Sequence, residues 1–123
     1  DYKPPAYYIN KGHELANKNG VSFFMTTSPE EAVKDVDVIV TDVWASMGQE
    51  EECDKRRIDF DGYQVNKKLL TLAKEDTIVL NCLPAHRGEE ITNEILEAHA
   101  DTIFEEAENR LHAQKAVLVK LLK

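Results

Sequence analysis

The sequence predicts an α/β fold of the three-layer α-β-α, Rossmann-like kind, built around a mainly parallel sheet. The run 36–41 carries β-branched residues at both alternating sets of positions, which is typical of a strand covered on both faces, and residues 77–80 form a second, short apolar strand. Helical patterns alternate with such runs, which is typical of parallel strands joined by right-handed crossovers. A polar loop follows each run at once. Because open α/β sheets bind ligands outside the carboxyl ends of their strands, these two loops are the first candidates for a site.

Turn and capping residues indicate where the other elements begin and end. Gly20 ends the first helix, and Asn66 caps a later one. Ser28, Pro29 and Glu31 predict a helix start as N-cap, first helical residue and capping-box partner. The predicted helices cover residues 6–19, 28–35, 50–58, 67–74, 92–99 and 111–123. The predicted strands cover residues 21–26, 36–41, 77–80 and 102–104.

Composition and charge argue against several classes of protein. The formal net charge is -8, and the longest basic run is residues 55–57, so nucleic acid is not an expected partner. No apolar run approaches the roughly 20 residues that span a bilayer, so a membrane is not an expected partner either. Metal-ligand spacing, GxGxxG and a P-loop are absent, and no cofactor or metal is expected. Cys53 and Cys82 are predicted to be reduced thiols, which favours a cytoplasmic location.

The loop after the first key strand offers groups for a charged ligand. Asp42 could hold an ammonium group, or it could be a turn residue that binds its own backbone. Ser46 could present a hydroxyl to an anion, with the backbone amides of Met47 and Gly48 beside it, or the segment could be a simple turn. The residues alone leave both interpretations open.

The loop after the second key strand contains Cys82, which could be a nucleophile or a thiol in contact with a ligand. Most cysteines at strand ends are small buried hydrophobic residues instead. A nucleophile needs a base, and His86 is four residues away, although that spacing in a loop fixes no distance. Arg110 could bind a phosphate or carbonyl oxygen, or form an exposed salt bridge. The final helix carries more apolar residues than one buried stripe needs, so it is either sandwiched in the core or packed against a partner outside the chain, and the second interpretation is favoured.

Four motifs occur in a fixed order along the chain. They are TDVWASMGQEE at 41–51, FDGYQV at 60–65, CLPAHRGEE at 82–90 and EAENR at 106–110. Together they resemble the C-terminal half of the ornithine carbamoyltransferases, and the resemblance covers essentially the whole chain. The Ser-Met-Gly loop is similar to that of the ornithine enzymes, whereas relatives acting on aspartate, putrescine or acetylated ornithine differ there. One departure is Asn81, where the family usually has histidine.

The resemblance implies a two-domain enzyme that transfers a carbamoyl group from carbamoyl phosphate to the side-chain amine of L-ornithine, giving L-citrulline and phosphate. Residues 1–123 would be its ornithine-binding, C-terminal domain. The carbamoyl-phosphate-binding domain and the opening strand of the second domain would then be missing, so the chain would be a fragment that is inactive alone. A homotrimer without a cofactor is implied for the full-length protein. The final helix would cross back to the first domain.

The resemblance also implies roles for particular residues. Asp42 would hold the α-ammonium group of ornithine, while Ser46 and the backbone at Met47 would hold its α-carboxylate. Cys82 would lie near the reacting amine.

At the carbamoyl group, the resemblance implies that the Leu83 carbonyl oxygen contacts the NH2 and that Arg110 holds the oxygen. Asn81 could donate a hydrogen bond, as a histidine there does, but it could not titrate. Three alternatives remain at this point. They are a transcarbamylase for another amine, a non-catalytic flavodoxin-like binding module, and a hydrolase that uses Cys82 and His86.

Overall fold

The computed structural model describes residues 2–46, 48 and 50–122. The helices are α1 (Ala6–Asn19), α2 (Pro29–Ala32), α3 (Cys53–Asp59, preceded by a 3-10 turn at Glu50–Glu52), α4 (Lys67–Leu70), α5 (Asn93–Ala98) and α6 (Ala100–Leu121). The strands are β1 (Val38–Thr41) and β2 (Ile78–Asn81). Within this described part, no helix is both long and apolar enough to cross a membrane.

The two strands pair in parallel, as predicted for an α/β fold. Their register runs from Val38 opposite Ile78 to Thr41 opposite Asn81. The chain passes from β1 to β2 through α3 and α4, which is the kind of crossover that parallel strands require. Because the strands end side by side, the residues that follow Thr41 and Asn81 lie at the same edge of the sheet.

Three of the predicted helix caps are confirmed. At two of them a side chain accepts from a backbone N–H that the helix itself leaves without a partner, and at the third a glycine N–H donates to a carbonyl oxygen of the last turn. The Ser28 hydroxyl accepts from the Glu31 N–H at 3.2 Å, and the Asn66 side chain accepts from the Leu69 N–H at 3.0 Å. Gly20 ends α1 in the left-handed conformation, with φ of 67°. The capping box is only half formed, because the Glu31 carboxylate binds the Thr26 hydroxyl at 2.5 Å.

The prediction that the first key strand is covered on both faces is wrong. Ile39 faces the core and is 7% exposed, whereas Val38 is 44% and Val40 is 69% exposed. The core therefore lies on one side of the sheet. It consists of Val33, Ile39, Val65, Leu69, Val79, Ile91, Ile95, Leu96 and Ile103.

The strand predicted over residues 21–26 does not form. The described sheet contains only β1 and β2, so this segment has no neighbouring strand to exchange backbone hydrogen bonds with. Phe23 packs locally instead: its ring covers Gly12 and meets the His13 ring edge-on, with 4.9 Å between the ring centroids. Val21 and Phe24 remain more than half exposed.

The strand predicted over residues 102–104 is also wrong, since these residues lie in the first turns of α6. The run is short, and the helix-favouring residues 105–108 follow it directly. In the helix Ile103 is fully buried against the sheet, and the Thr102 hydroxyl donates to the Val79 carbonyl oxygen at 3.1 Å. The helix predicted from Leu111 is thus the second half of α6, and its apolar residues there are more than half exposed.

Candidate functional site

A cleft of about 420 Å³ opens at the carboxyl ends of β1 and β2. Its walls include Asp42 and Ser46 from the first loop, Cys82, Pro84 and His86 from the second, and Cys53 at the start of α3. The volume falls within the roughly 300–1,000 Å³ typical of small-molecule sites. The fold thus brings together Asp42, Ser46 and Cys82, three of the residues that the sequence singled out.

Asp42 and Cys82 are in direct contact across the sheet edge. The Cys82 thiol donates to Asp42 Oδ1 at a sulfur–oxygen distance of 3.4 Å, and the same oxygen accepts from the Val43 N–H at 2.8 Å. The carboxylate therefore acts as a turn residue and also faces the cleft.

Burial raises the pKa of the Cys82 thiol above its ordinary value, and the hydrogen bond to Asp42 raises it further. The negative charges of Asp42 and Glu106 act in the same direction. A thiol with a raised pKa is protonated at neutral pH and is a poor nucleophile. The His86 ring lies 3.8 Å from the Glu89 carboxylate, while the acceptor for the Cys82 thiol is Asp42. This arrangement disfavours a cysteine hydrolase and favours Cys82 as a ligand-contacting thiol.

We expect Asp42→Asn to speed alkylation of Cys82 at about pH 8 by about threefold to tenfold, because removing the negative charge lowers the thiol pKa and raises the thiolate fraction. Iodoacetamide labelling in a Cys53→Ser background, followed by mass spectrometry across a pH series, measures this. Asp76→Asn is the matched control, since Asp76 precedes β2 and lies at the opposite end of the sheet. Equal alkylation rates for wild type and Asp42→Asn would show that Asp42 does not raise the pKa of the Cys82 thiol.

The second loop has an unusual backbone at Leu83, whose φ is 49°. A non-glycine residue in this left-handed region costs about 1–3 kcal/mol and persists only when its surroundings enforce it. The Leu83 N–H donates to Asn81 Oδ1 at 2.9 Å, and Glu90 Oε1 accepts from the His86 N–H at 2.8 Å. Asn81 and Glu90 are both fully buried. Sequence reasoning missed Glu90, because a buried carboxyl in a charged loop leaves no signal in the residue pattern.

The first loop is held from outside the cleft by Arg56 on α3. Its Nη1 donates to the Trp44 carbonyl oxygen at 3.0 Å, and its Nη2 lies 2.9 Å from the Glu52 carboxylate. The Trp44 ring stacks on Phe60, with 6.1 Å between the ring centroids. The sequence analysis noted Arg56 only as a member of the basic run 55–57, and the structure shows that its side chain is only 16% exposed.

The remaining candidate residues are placed less directly. Arg110 is exposed on α6 and is not among the residues that line the cleft, so its predicted role stays a prediction. Met47 lies outside the described residues. Leu83 is partly buried between the cleft residues Cys82 and Pro84. Among the described side chains, no group of three or more His, Cys, Asp or Glu residues is arranged to hold a metal ion.

These features define an α/β domain of Rossmann-like type, with a cleft where two parallel strands end. A family model described as the Asp/Orn binding domain of aspartate/ornithine carbamoyltransferase matches residues 1–121. The chain belongs to the aspartate/ornithine carbamoyltransferase family and represents this domain of it. The resemblance drawn from the four sequence motifs is confirmed.

Individual relatives agree with the family model. The ornithine carbamoyltransferase of Methanosarcina mazei is 52% identical over 122 residues, which cover 99% of this chain and 39% of the relative. That of Caldicellulosiruptor saccharolyticus is 51% identical over 121 residues, covering 94% of this chain and 39% of the relative. This chain thus spans about two fifths of the length of such relatives.

Solved structures show the same fold. The anabolic ornithine carbamoyltransferase of Campylobacter jejuni superposes with a TM-score of 0.93 at 42% identity, over 98% of this chain and 40% of the other. The enzyme of Pyrococcus furiosus gives a TM-score of 0.86 at 50% identity, over 95% of this chain and 37% of the other. The prediction of a Rossmann-like α/β class is confirmed.

Proposed function

We propose that this chain binds L-ornithine and supplies the amino-acid half of a carbamoyl transfer. In this reaction the side-chain amine of ornithine attacks carbamoyl phosphate and gives L-citrulline and phosphate. The observation that carries the proposal is the Asp42–Cys82 contact at 3.4 Å in the strand-end cleft, in a chain whose relatives are named ornithine carbamoyltransferases.

The cleft suits a zwitterionic amino acid. The Asp42 carboxylate offers a negative charge to the α-ammonium group, and charge-assisted hydrogen bonds of this kind are stronger than neutral ones. Ser46, on the same wall, offers a hydroxyl to the α-carboxylate. We assign the backbone at Met47 to the same carboxylate, and we place the side-chain amine near the protonated Cys82 thiol.

The chemistry requires a neutral amine, whereas a free alkylamine titrates near the value for lysine, roughly 10.4. A cation beside the amine would favour the neutral form, and a guanidinium on the carbamoyl oxygen would stabilise charge that develops there. We assign this role to Arg110, with the Leu83 carbonyl oxygen on the carbamoyl NH2. Because Arg110 is exposed on α6, this role requires the second half of α6 to approach the cleft in the assembled enzyme.

The proposal includes a second domain that binds carbamoyl phosphate, since the relatives are far longer than this chain. It also includes a homotrimer in the cytoplasm, with no cofactor. The chain alone is then expected to turn over no carbamoyl phosphate. Citrulline formed by the purified chain would contradict that division of labour.

Isothermal titration of the chain with L-ornithine tests the proposal, with L-aspartate and putrescine as matched ligands. Aspartate has no side-chain amine, and putrescine has no α-carboxylate for Ser46. We expect heat of binding from ornithine and at least about tenfold weaker binding of both others, which corresponds to about 1.4 kcal/mol. Tighter binding of putrescine or aspartate would favour a transcarbamylase for another amine, and absence of ornithine binding would overturn the assignment of the site to this chain.

A further inference from the structure

A pair of fully buried polar side chains, Asn81 and Glu90, lies beneath the Cys82 loop. Asn81 Oδ1 accepts from the Leu83 N–H at 2.9 Å, and this donor fixes which end of the amide is the oxygen. The amide nitrogen then donates to Glu90 Oε1 across a long 3.5 Å contact. The same oxygen accepts from the His86 N–H at 2.8 Å. One carboxylate oxygen thus joins the two ends of the turn that contains Cys82 and Leu83.

The backbone of Glu90 is itself fixed. The Val65 N–H donates to the Glu90 carbonyl oxygen at 2.8 Å, and the Thr92 N–H donates back to the Val65 carbonyl oxygen at 3.1 Å. The neighbouring Ile91 is fully buried in the core. The backbone of Glu90 is therefore anchored to the core, while its carboxylate forms hydrogen bonds to the turn that contains Cys82 and Leu83.

A buried carboxyl group needs a reason, because burying a charge or an unpaired polar oxygen is unfavourable. Glu90 Oε2 has no hydrogen-bond partner among the described residues. Apolar residues of similar volume often replace buried ionic groups without loss of stability. An apolar residue cannot accept hydrogen bonds from the His86 N–H and from the Asn81 amide nitrogen. Glu90 Oε1 accepts both.

We propose that Asn81 and Glu90 are positioning residues that hold Leu83 in its left-handed conformation and thereby set the Cys82 thiol against Asp42. The φ angle of Leu83 decides where its carbonyl group lies relative to Cys82, so releasing the Leu83 N–H changes both groups at once. Asn81 performs this task with an amide, whose oxygen accepts from the Leu83 N–H and whose nitrogen donates to Glu90. The inference deepens the proposed function, because the positioned groups are those assigned to the amine and the carbamoyl group.

The test measures the pH profile of Cys82 alkylation in a Cys53→Ser background, without any ligand. Asn81→Leu and Glu90→Leu each remove hydrogen bonds of the clamp, by which we mean the Asn81 and Glu90 side chains and their bonds to the Leu83 and His86 N–H groups. The Cys82 thiol is then expected to lose its hydrogen bond to Asp42 and to be alkylated about threefold to tenfold faster at about pH 8. Asn81→His and Glu90→Gln keep an acceptor and are expected to retain the wild-type profile. If Glu90→Leu does not fold, Asn81→Leu carries the test, because it leaves the bond between Glu90 and His86 in place.

Ile95→Ala is the control for simple loss of stability, since Ile95 lies on α5 in the core and its apolar side chain takes no part in the hydrogen bonds of Asn81 and Glu90. It is expected to lower the urea midpoint and to leave the Cys82 profile unchanged. An unchanged profile in Asn81→Leu, or an equal shift in Ile95→Ala, would overturn the proposal. Ornithine titrations of the same proteins separate the two hypotheses: wild type that binds no ornithine overturns the proposed function alone, and an unchanged alkylation profile overturns the clamp alone.

Discussion

Replacing Asp42 with alanine is expected to weaken L-ornithine binding to this chain at least about thirtyfold, which is about 2 kcal/mol. The reason is the loss of the one carboxylate that lines the described cleft, so that the α-ammonium group is buried without its counter-charge. Isothermal titration with L-ornithine measures the effect. Asp76→Ala removes the same charge at the opposite end of the sheet and is expected to bind ornithine like wild type.

Asp42→Asn separates the two roles of this residue. An asparagine side-chain oxygen can still accept from the Val43 N–H, a bond of 2.8 Å in the structure, but it carries no charge. If Asp42 holds the ammonium group, the asparagine variant loses most of the affinity that the alanine variant loses. Wild-type affinity in Asp42→Asn, together with weak binding in Asp42→Ala, would mean that Asp42 only shapes the turn. Equal binding by all three proteins would exclude Asp42 from the site altogether.

The position of the cleft could be predicted from the sequence because its determinants are local. A short β-branched run followed by polar residues places Asp42 and Cys82 at strand ends, and parallel pairing places those ends together. Helix caps are local in the same way, since a side chain and an N–H three residues later decide them, as at Ser28 and Asn66.

The errors arise where the outcome depends on distant partners. A strand exists only if another strand lies beside it, and neither residues 21–26 nor residues 102–104 reveal in their own sequence whether a neighbour is present. The exposed face of β1 has the same origin, since Val40 would be buried only by an element that packs over it.

Which residues support the site also depends on tertiary contacts that the local sequence does not reveal. Nothing in the basic run 55–57 distinguishes Arg56, which binds the Trp44 carbonyl oxygen, from Arg57, which forms exposed ion pairs with Asp54 and Glu89. Glu89 and Glu90 are adjacent and chemically alike, yet only Glu90 is fully buried. Sequence patterns therefore predicted residues that line the cleft better than the residues that position its loops.

Replacing Ile103 with alanine is expected to lower the free energy of unfolding by about 2–5 kcal/mol, because it removes a fully buried side chain and leaves a cavity. Ile103 joins α6 to the sheet, next to the Thr102 hydroxyl that binds the Val79 carbonyl oxygen. The loss would be a large part of the stability of a small domain, for which about 5–15 kcal/mol is usual. Urea unfolding followed by circular dichroism measures it.

Phe104→Ala is the matched control for the placement of α6. Phe104 is the next residue and is larger, but it is 58% exposed, so its truncation is expected to cost less than about 1 kcal/mol. Ile103→Val removes a single methylene group and should fall between the two, at about 0.5–1.5 kcal/mol. A greater loss for Phe104→Ala than for Ile103→Ala would mean that α6 presents a different face to the sheet. The Cys82 site would then lack the helical support that Ile103 gives to β2.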